Sequence, residues 1–343
     1  MRKLAGAFVR AKKGVFDAHP SKHFPKTLLD ILLGFHTQHI PQRKMKVFGL
    51  KSLQALLAHS ADSSKAKVAL SELKDQGELE EVARIISQKD SGSFAVHLAV
   101  PTSSDLCLPR NAAIITEKVR AGLLKLSGAK CPCGQFNVEL SHVLGCSKFR
   151  MNFVRHDVIT NILLKSAVQA GQVARAEWLV EGDSSKRMDL LRFSGGVHWN
   201  DISVVNPVAP SYVRASQRIG GAIERRERDK KRKWDLVAAR RGASFTPTVL
   251  EATGRRSELT KALFKELAVS AAEITEEDVS TGRRKDMFVS RVVGEITQHV
   301  SVAMAHCNAL LIEEAEHLAQ YKERPRKLAR RAWVHASPKY DLF

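Results

Sequence analysis

The stretch that most constrains the fold runs from Arg187 to Pro207 and reads RMDLLRFSGGVHWNDISVVNP. Two short apolar runs, Met188 to Phe193 and Trp199 to Val205, flank the pair Gly195-Gly196. β-Branched and aromatic residues on both sides of a tight glycine pair specify a β-hairpin. Each strand carries one aspartate in apolar company, Asp189 and Asp201. A carboxylate on a buried strand is costly unless a partner neutralises it. Set opposite each other, the two could share one Mg²⁺, a hard cation that takes oxygen ligands. Strand-end aspartates facing solvent are the other reading of the same pattern.

Composition narrows the partners. The chain has 343 residues, enough for two or three domains, and 44% of them are hydrophobic, which excludes wholesale disorder. Its formal net charge is +19. Such an excess points to a polyanion, nucleic acid first and an anionic membrane surface second. No apolar run approaches the roughly 20 residues that span a bilayer, so no membrane partner is expected. Five cysteines, three of them clustered, suit a reducing compartment with one metal site better than a disulfide framework.

That cluster lies in KCPCGQFNVELSHVLGC, from Lys130 to Cys146. Cys131, Cys133, His142 and Cys146 follow the pattern C-x-C-x8-H-x3-C. Three thiolates and an imidazole at this spacing can close a tetrahedron around Zn²⁺. With all four positions supplied by protein, the site is expected to be structural. Three buried thiols beside an incidental histidine are the alternative. Cys107 and Cys307 stand alone and read as core thiols.

Along the chain, Met1 to Phe16 has no acidic residue and a loose helical spacing of apolar positions. It fits a mitochondrial presequence, a basic helix on nucleic acid, or the edge of a larger domain. Amphipathic spacing predicts helices at 28–35 and 47–59, then two across 64–88 broken at Gly77. A loop is expected over 98–109 and a helix over 111–126. After the cysteine cluster come a helix over 153–171, a strand over 175–180 carrying Glu177, and the hairpin. A long helix over 211–241, a strand over 245–252 and a helix over 257–269 follow. A last apolar-faced helix covers 287–319, and a basic, proline-broken tail covers 322–331. The charge run ERRERDKKRKW reads mainly as a solvated helix face with i,i+4 pairs such as Glu224 with Arg228.

The element order from 153 to 269, helix-strand-strand-strand-helix-strand-helix, resembles the core of the PD-(D/E)XK nuclease fold. More narrowly, the RHD helix (Arg155-His156-Asp157), the KRMD strand, the DISVVNP strand and the charged helix, after a cysteine-histidine knuckle, resemble the C-terminal region of site-specific non-LTR retrotransposon polyproteins. That region carries a zinc knuckle and a restriction-like endonuclease, and the resemblance covers roughly 111–254. Together with the patterns along the chain, it gives an expected α+β chain: a helical region at 1–126, a knuckle at 127–150, an endonuclease core at 151–270, and a C-terminal helix and basic tail at 271–343. It further implies that Asp189 and Asp201 bind catalytic Mg²⁺, that Glu177 completes the metal site, and that Lys230, with Lys231 and Lys233 beside it, is the active-site lysine. Met188 stands where the family has proline, and Ser203 where a lysine often follows the second acid.

Arg155, His156, Arg187, Arg225, Arg226, Lys231 and Lys233 are the cations expected to meet nucleic acid. The expected partners are a target DNA duplex, element RNA and a separate reverse transcriptase, since no Y-x-D-D or F-A-D-D polymerase motif is present. Two functions follow. One is an Mg²⁺-dependent endonuclease that nicks target DNA in the nucleus. The other is a non-catalytic remnant or domesticated protein that only binds DNA or RNA. The basic N-terminal segment keeps a mitochondrial location open.

Overall fold

A computed structural model describes residues 64–99, 103–126, 131–135, 138–180, 187–275 and 282–320. The helices expected at 28–35 and 47–59, the basic segment 1–16 and the tail 322–331 lie outside these residues. Contacts divide the chain into Met1–Ala66 and Lys67–Phe343, and the second unit holds every element from the second helix onward.

The described residues form an α+β structure. Helices α1 (Ser64–Asp75), α2 (Leu79–Ser87), α3 (Ser91–Leu98) and α4 (Arg110–Arg120) come first. Next are the short α5 (Leu140–Val143) and the long α6 (Arg150–Gln169), followed by strands β1 (Val173–Leu179), β2 (Arg187–Phe193) and β3 (Val197–Val205). Helix α7 (Gly221–Ala239), strand β4 (Ala243–Glu251), helix α8 (Glu258–Ile274) and the 39-residue α9 (Gly282–Gln320) complete the order. None of these helices is long and apolar enough to cross a membrane.

The strands make one mixed sheet in the order β1-β2-β3-β4. β1–β2 and β2–β3 are antiparallel, whereas β3 and β4 are parallel and joined through α7. Side-chain alternation gives the sheet two faces. Leu190, Ile202 and Leu250 pack with Ile159 and Leu163 of α6, Phe264 and Leu267 of α8, and Val300 and Met304 of α9. The opposite face meets α7: Leu191 and Trp199 pack on Trp234 and Ala238, and Val205 and Val249 pack on Ala222 and Ile223. A strand covered on both sides is expected to be nearly continuously apolar, and β3 departs from this at His198, Asn200, Asp201 and Ser203.

Two boundaries and one helix depart most from the sequence expectation. α4 stops at Arg120, not near residue 126, because the amides of Gly122 and Leu123 turn back onto the carbonyls of Val119 and Lys118. Leu124 and Leu126 continue the apolar pattern outside the helix by packing on the α5–α6–α9 cluster. α7 begins at Gly221, not at residue 211. A Cβ on Gly221 would lie 1.9 Å from the Ala215 carbonyl oxygen, so the preceding chain closes back on the helix start instead of continuing it. α3 falls in a stretch with little helical signal. The Asp90 carboxylate caps it by accepting the Gly92 amide at 2.8 Å.

Candidate functional site

Two sites lie in this framework. The first forms where β2 and β3 part. Their ladder runs from Phe193↔Val197 to Leu190↔Asn200 and stops there. One residue further on, the Asp189 carboxylate replaces the missing backbone partner and accepts the Ile202 amide at 2.6 Å. Asp201 follows Asn200 on β3 and turns to the α7 face. Both of its oxygens are held from that helix: Lys230 Nζ lies 2.7 Å from Oδ1 and 2.6 Å from Oδ2, and Trp234 Nε1 donates to Oδ2 at 2.7 Å. Lys230 and Trp234 are four residues apart and so lie on one face of α7. From the other side of the sheet, His156 of α6 places Nε2 3.1 Å from Asp189 Oδ2.

The electrostatics follow from this arrangement. Burial works against a charged His156, but the hydrogen bond and charge of Asp189, with Asp157 behind them, raise its pKa from 6.5 to about 9. Burial likewise opposes ionisation of Asp189, yet His156 and the Ile202 amide hold its carboxyl below the usual value. Asp201 moves the other way. Burial and the facing Asp189 carboxylate raise its pKa despite Lys230. The two carboxyl groups thus interact directly, one kept ionised and one reluctant, which makes them a candidate functional pair.

The structure brings Asp189, Asp201 and Lys230 together and adds His156 and Trp234. Two expectations need correction. Glu177 does not join the carboxylates. With a φ of +50° it drops out of the β1–β2 pairing opposite Asp189, its side chain is exposed, and Arg187 takes it at 3.2 Å. Arg155 does not face a polyanion. It is buried and bonds Asn308 Oδ1 at 2.6 Å, Asn152 Oδ1 at 2.6 Å and the Leu144 carbonyl at 3.1 Å. Burial lowers its pKa to about 10. Its role is to tie α6 to α9 and to the end of α5.

The remaining cations sit on or near α7. Arg225 bonds the Ser211 carbonyl and lies 5.5 Å from the Tyr212 ring centroid. Lys233 lies 4.5 Å from that of Trp234, and Lys231 is exposed. Arg226 alone of this group turns toward β3, where Nε donates to Ser203 Oγ at 3.3 Å.

The second site is the cysteine cluster. The ligand atoms of Cys131, Cys133, His142 and Cys146 all lie within 4.8 Å of one another. Cys131 and Cys146 sulfurs are 3.4 Å apart, and Cys133 Sγ is 3.5 Å from His142 Nε2. Metal–ligand bonds of about 2.0–2.3 Å in a tetrahedron require edges of roughly 3.5–3.8 Å, so the cluster can hold a metal ion such as zinc. The backbone supports it. Gly134 takes φ +95° to let residues 131–135 close on themselves, and α5 presents His142 one turn before Cys146. The knuckle is not a free appendage. Cys131, Val138 and Val143 pack against Phe149 and Met151 of the α6 start and against Leu311 and Ile312 of α9. Asn206, at the end of DISVVNP, donates to the Ser141 carbonyl at 2.6 Å. Of the two lone thiols, Cys307 is buried, with a pKa pushed up to about 12, whereas Cys107 is exposed and not the core residue expected.

No family model matches the chain, and no curated protein is similar to it.

Proposed function

We propose that the chain is a metal-dependent DNA endonuclease that nicks target DNA. It would be built on a PD-(D/E)XK-like core with a structural zinc knuckle, as in the C-terminal region of site-specific non-LTR retrotransposon polyproteins. The observation that carries this reading is the convergence of Asp189, Asp201 and Lys230 where β2 and β3 part. Two interacting carboxylates with only oxygen donors suit a hard divalent cation such as Mg²⁺. That cation, bound there, would lower the pKa of a water and polarise a phosphate oxygen.

The protein's own groups have distinct tasks in this reaction. Trp234 fixes the orientation of the Asp201 carboxylate through Oδ2. His156 favours the ionised form of Asp189, the form that would bind a cation. Lys230, held on both oxygens of Asp201, is the cation that would stabilise charge developing on the phosphate. The exposed cations of α7 hold the DNA backbone through salt-sensitive phosphate contacts. The knuckle, with zinc on its three thiolates and imidazole, braces α6 and α9 and thereby the position of His156.

One observation favours a second reading, a nucleic-acid-binding protein without catalysis. Both oxygens of Asp201 are already satisfied by Lys230 and Trp234, so the pair can be neutral without a metal ion. Plasmid nicking with Mg²⁺ separates the two. Wild type should nick, and Asp201→Asn, which keeps shape but removes charge, should lose the activity by orders of magnitude while still binding DNA. Equal nicking by both would reveal a contaminant, and none by either would leave the binding-only reading.

A further inference from the structure

We propose, resting on the endonuclease reading, that Arg226 is a catalytic residue that grips the scissile phosphodiester beside Lys230. It would supply the second cation that Ser203 does not.

Side chains two apart on a strand share a face, so Ser203 stands next to Asp201 on the side of β3 that meets α7. Side chains four apart on a helix also share a face, so Arg226 stands one turn from Lys230. The two rows match in register. Lys230 sits over Asp201 at 2.6–2.7 Å, and Arg226 sits over Ser203 at 3.3 Å. One turn of helix is about 5.4 Å and two strand residues are about 6.6 Å, so the cations lie side by side along the carboxylate-bearing strand.

Their electrostatic situations differ. Lys230 is matched by a carboxylate. Arg226 is half-buried, yet among the described residues its guanidinium bonds only the Ser203 hydroxyl and pairs with no carboxylate. The nearby Glu224 is engaged by Arg218 at 2.8 Å. A partly buried cation without a carboxylate partner is unfavourable, and its free donors define the anion that would suit it. Nε is fixed on Ser203, which leaves the two terminal nitrogens as a fork, and a fork of N–H donors fits two oxygens of one phosphate. A lysine on β3 at position 203 would reach the same place from the strand. Here the short Ser203 leaves that space, and α7 fills it with a longer side chain.

The alternative is that Arg226 merely fastens α7 to β3. Single-turnover nicking and DNA affinity across a salt series separate the two, using wild type, Arg226→Ala, Arg226→Lys and Ser203→Ala. If Arg226 grips the phosphate, Arg226→Ala slows cleavage by about 100- to 1,000-fold. It also lowers the slope of log affinity against log salt by about one. Arg226→Lys restores the salt slope but not the full rate, since the charge returns without the fork. Ser203→Ala keeps the slope and loses at most about tenfold in rate. The inference is overturned if Arg226→Ala cleaves like wild type. It is also overturned if Arg226→Ala and Ser203→Ala lose rate equally with unchanged slopes, which is the signature of a fastening role. Should wild type fail to nick, the endonuclease reading falls, and an unchanged salt slope in Arg226→Ala would separately remove the phosphate contact.

Discussion

Replacing Lys230 with Met tests the carboxylate pair without relying on cleavage. Lys230 and Asp201 side chains are only 14% and 9% exposed, and they meet at 2.6 Å. Removing one partner of a buried pair leaves the other charge uncompensated, at about 3–5 kcal/mol. Trp234 still donates to Asp201 Oδ2 at 2.7 Å, and a hydrogen bond to a charged group contributes about 1.5–3 kcal/mol. The expected loss therefore lies near the lower end, about 3 kcal/mol. In the variant the Lys230 ammonium no longer competes with a divalent cation for the space between Asp189 and Asp201, and of these two carboxylates His156 still faces only Asp189. Mg²⁺ at about 100 times its dissociation constant should then return about 2.7 kcal/mol, most of what was lost. Wild type should gain less, because Lys230 must be displaced first. The double variant Lys230→Met/Asp201→Asn should gain nothing. Urea denaturation of the three zinc-loaded proteins, with and without Mg²⁺, measures these differences. If Lys230→Met is as stable as wild type, or if Mg²⁺ stabilises all three alike, the cation site argued from this geometry does not exist.

Two further predictions concern the scaffold. Cys146→Ser should lose the single bound zinc and melt at a lower temperature, because the knuckle contributes Cys131, Val138 and Val143 to the cluster beneath α6 and α9; full stability in a metal-free preparation would contradict it. Arg192→Met should cost about 3–5 kcal/mol, since the buried guanidinium bonds Asn200, Gln172 and Glu266 at 2.9, 2.8 and 2.7 Å and would leave the first two unsatisfied. Burial opposes ionisation of Glu266, but Arg192 outweighs it and lowers the carboxyl below 4.5, so part of this stability is present above that value and lost as pH falls below it. The gap between wild type and variant, measured by denaturation at a series of pH values, should narrow in acid; a gap that stays constant would exclude the ion pair as its source.

The hairpin, its two aspartates, the knuckle and the helix bearing Lys230 were all readable in the sequence, because each has a local signal: a glycine pair between apolar runs, a ligand spacing, a charge run. What was missed depended on geometry that spacing does not encode. The fate of Glu177 turns on one left-handed backbone angle, which no residue type announces. The start of α7 depends on how closely Gly221 approaches Ala215. Arg155 is different, because a signal existed. It stands four residues after Met151 and four before Ile159, both buried, so the apolar stripe of α6 passes through it. The neighbouring His156 lies about 100° further round the helix and leaves that stripe. Weighing periodicity against charge would have sent Arg155 inward and left His156 for the site.

The same reasoning explains why the charged helix is informative despite its bland composition. The side of α7 that meets the sheet carries Ile223, Arg226, Lys230, Trp234 and Ala238, at intervals of three or four residues. Three of the five are apolar and obey the helix pattern. Arg226 and Lys230 violate it, and they do so opposite Asp201 and Ser203, which violate the pattern of a strand buried on both faces. A polar position on one buried surface can be an accident of packing. Matched violations on two facing elements cost stability on both, and local rules are broken in this way mainly where function requires it. The cations that obey the pattern, Arg225, Arg228, Lys231, Arg232 and Lys233, are exposed and form the broad positive surface. The helix thus divides its charge between two tasks. In the proposed function the outer residues supply sequence-independent attraction to a polyanion. Of the two inner residues, Lys230 sits over Asp201 and Arg226 over Ser203, where the proposed chemistry on a phosphate would use them.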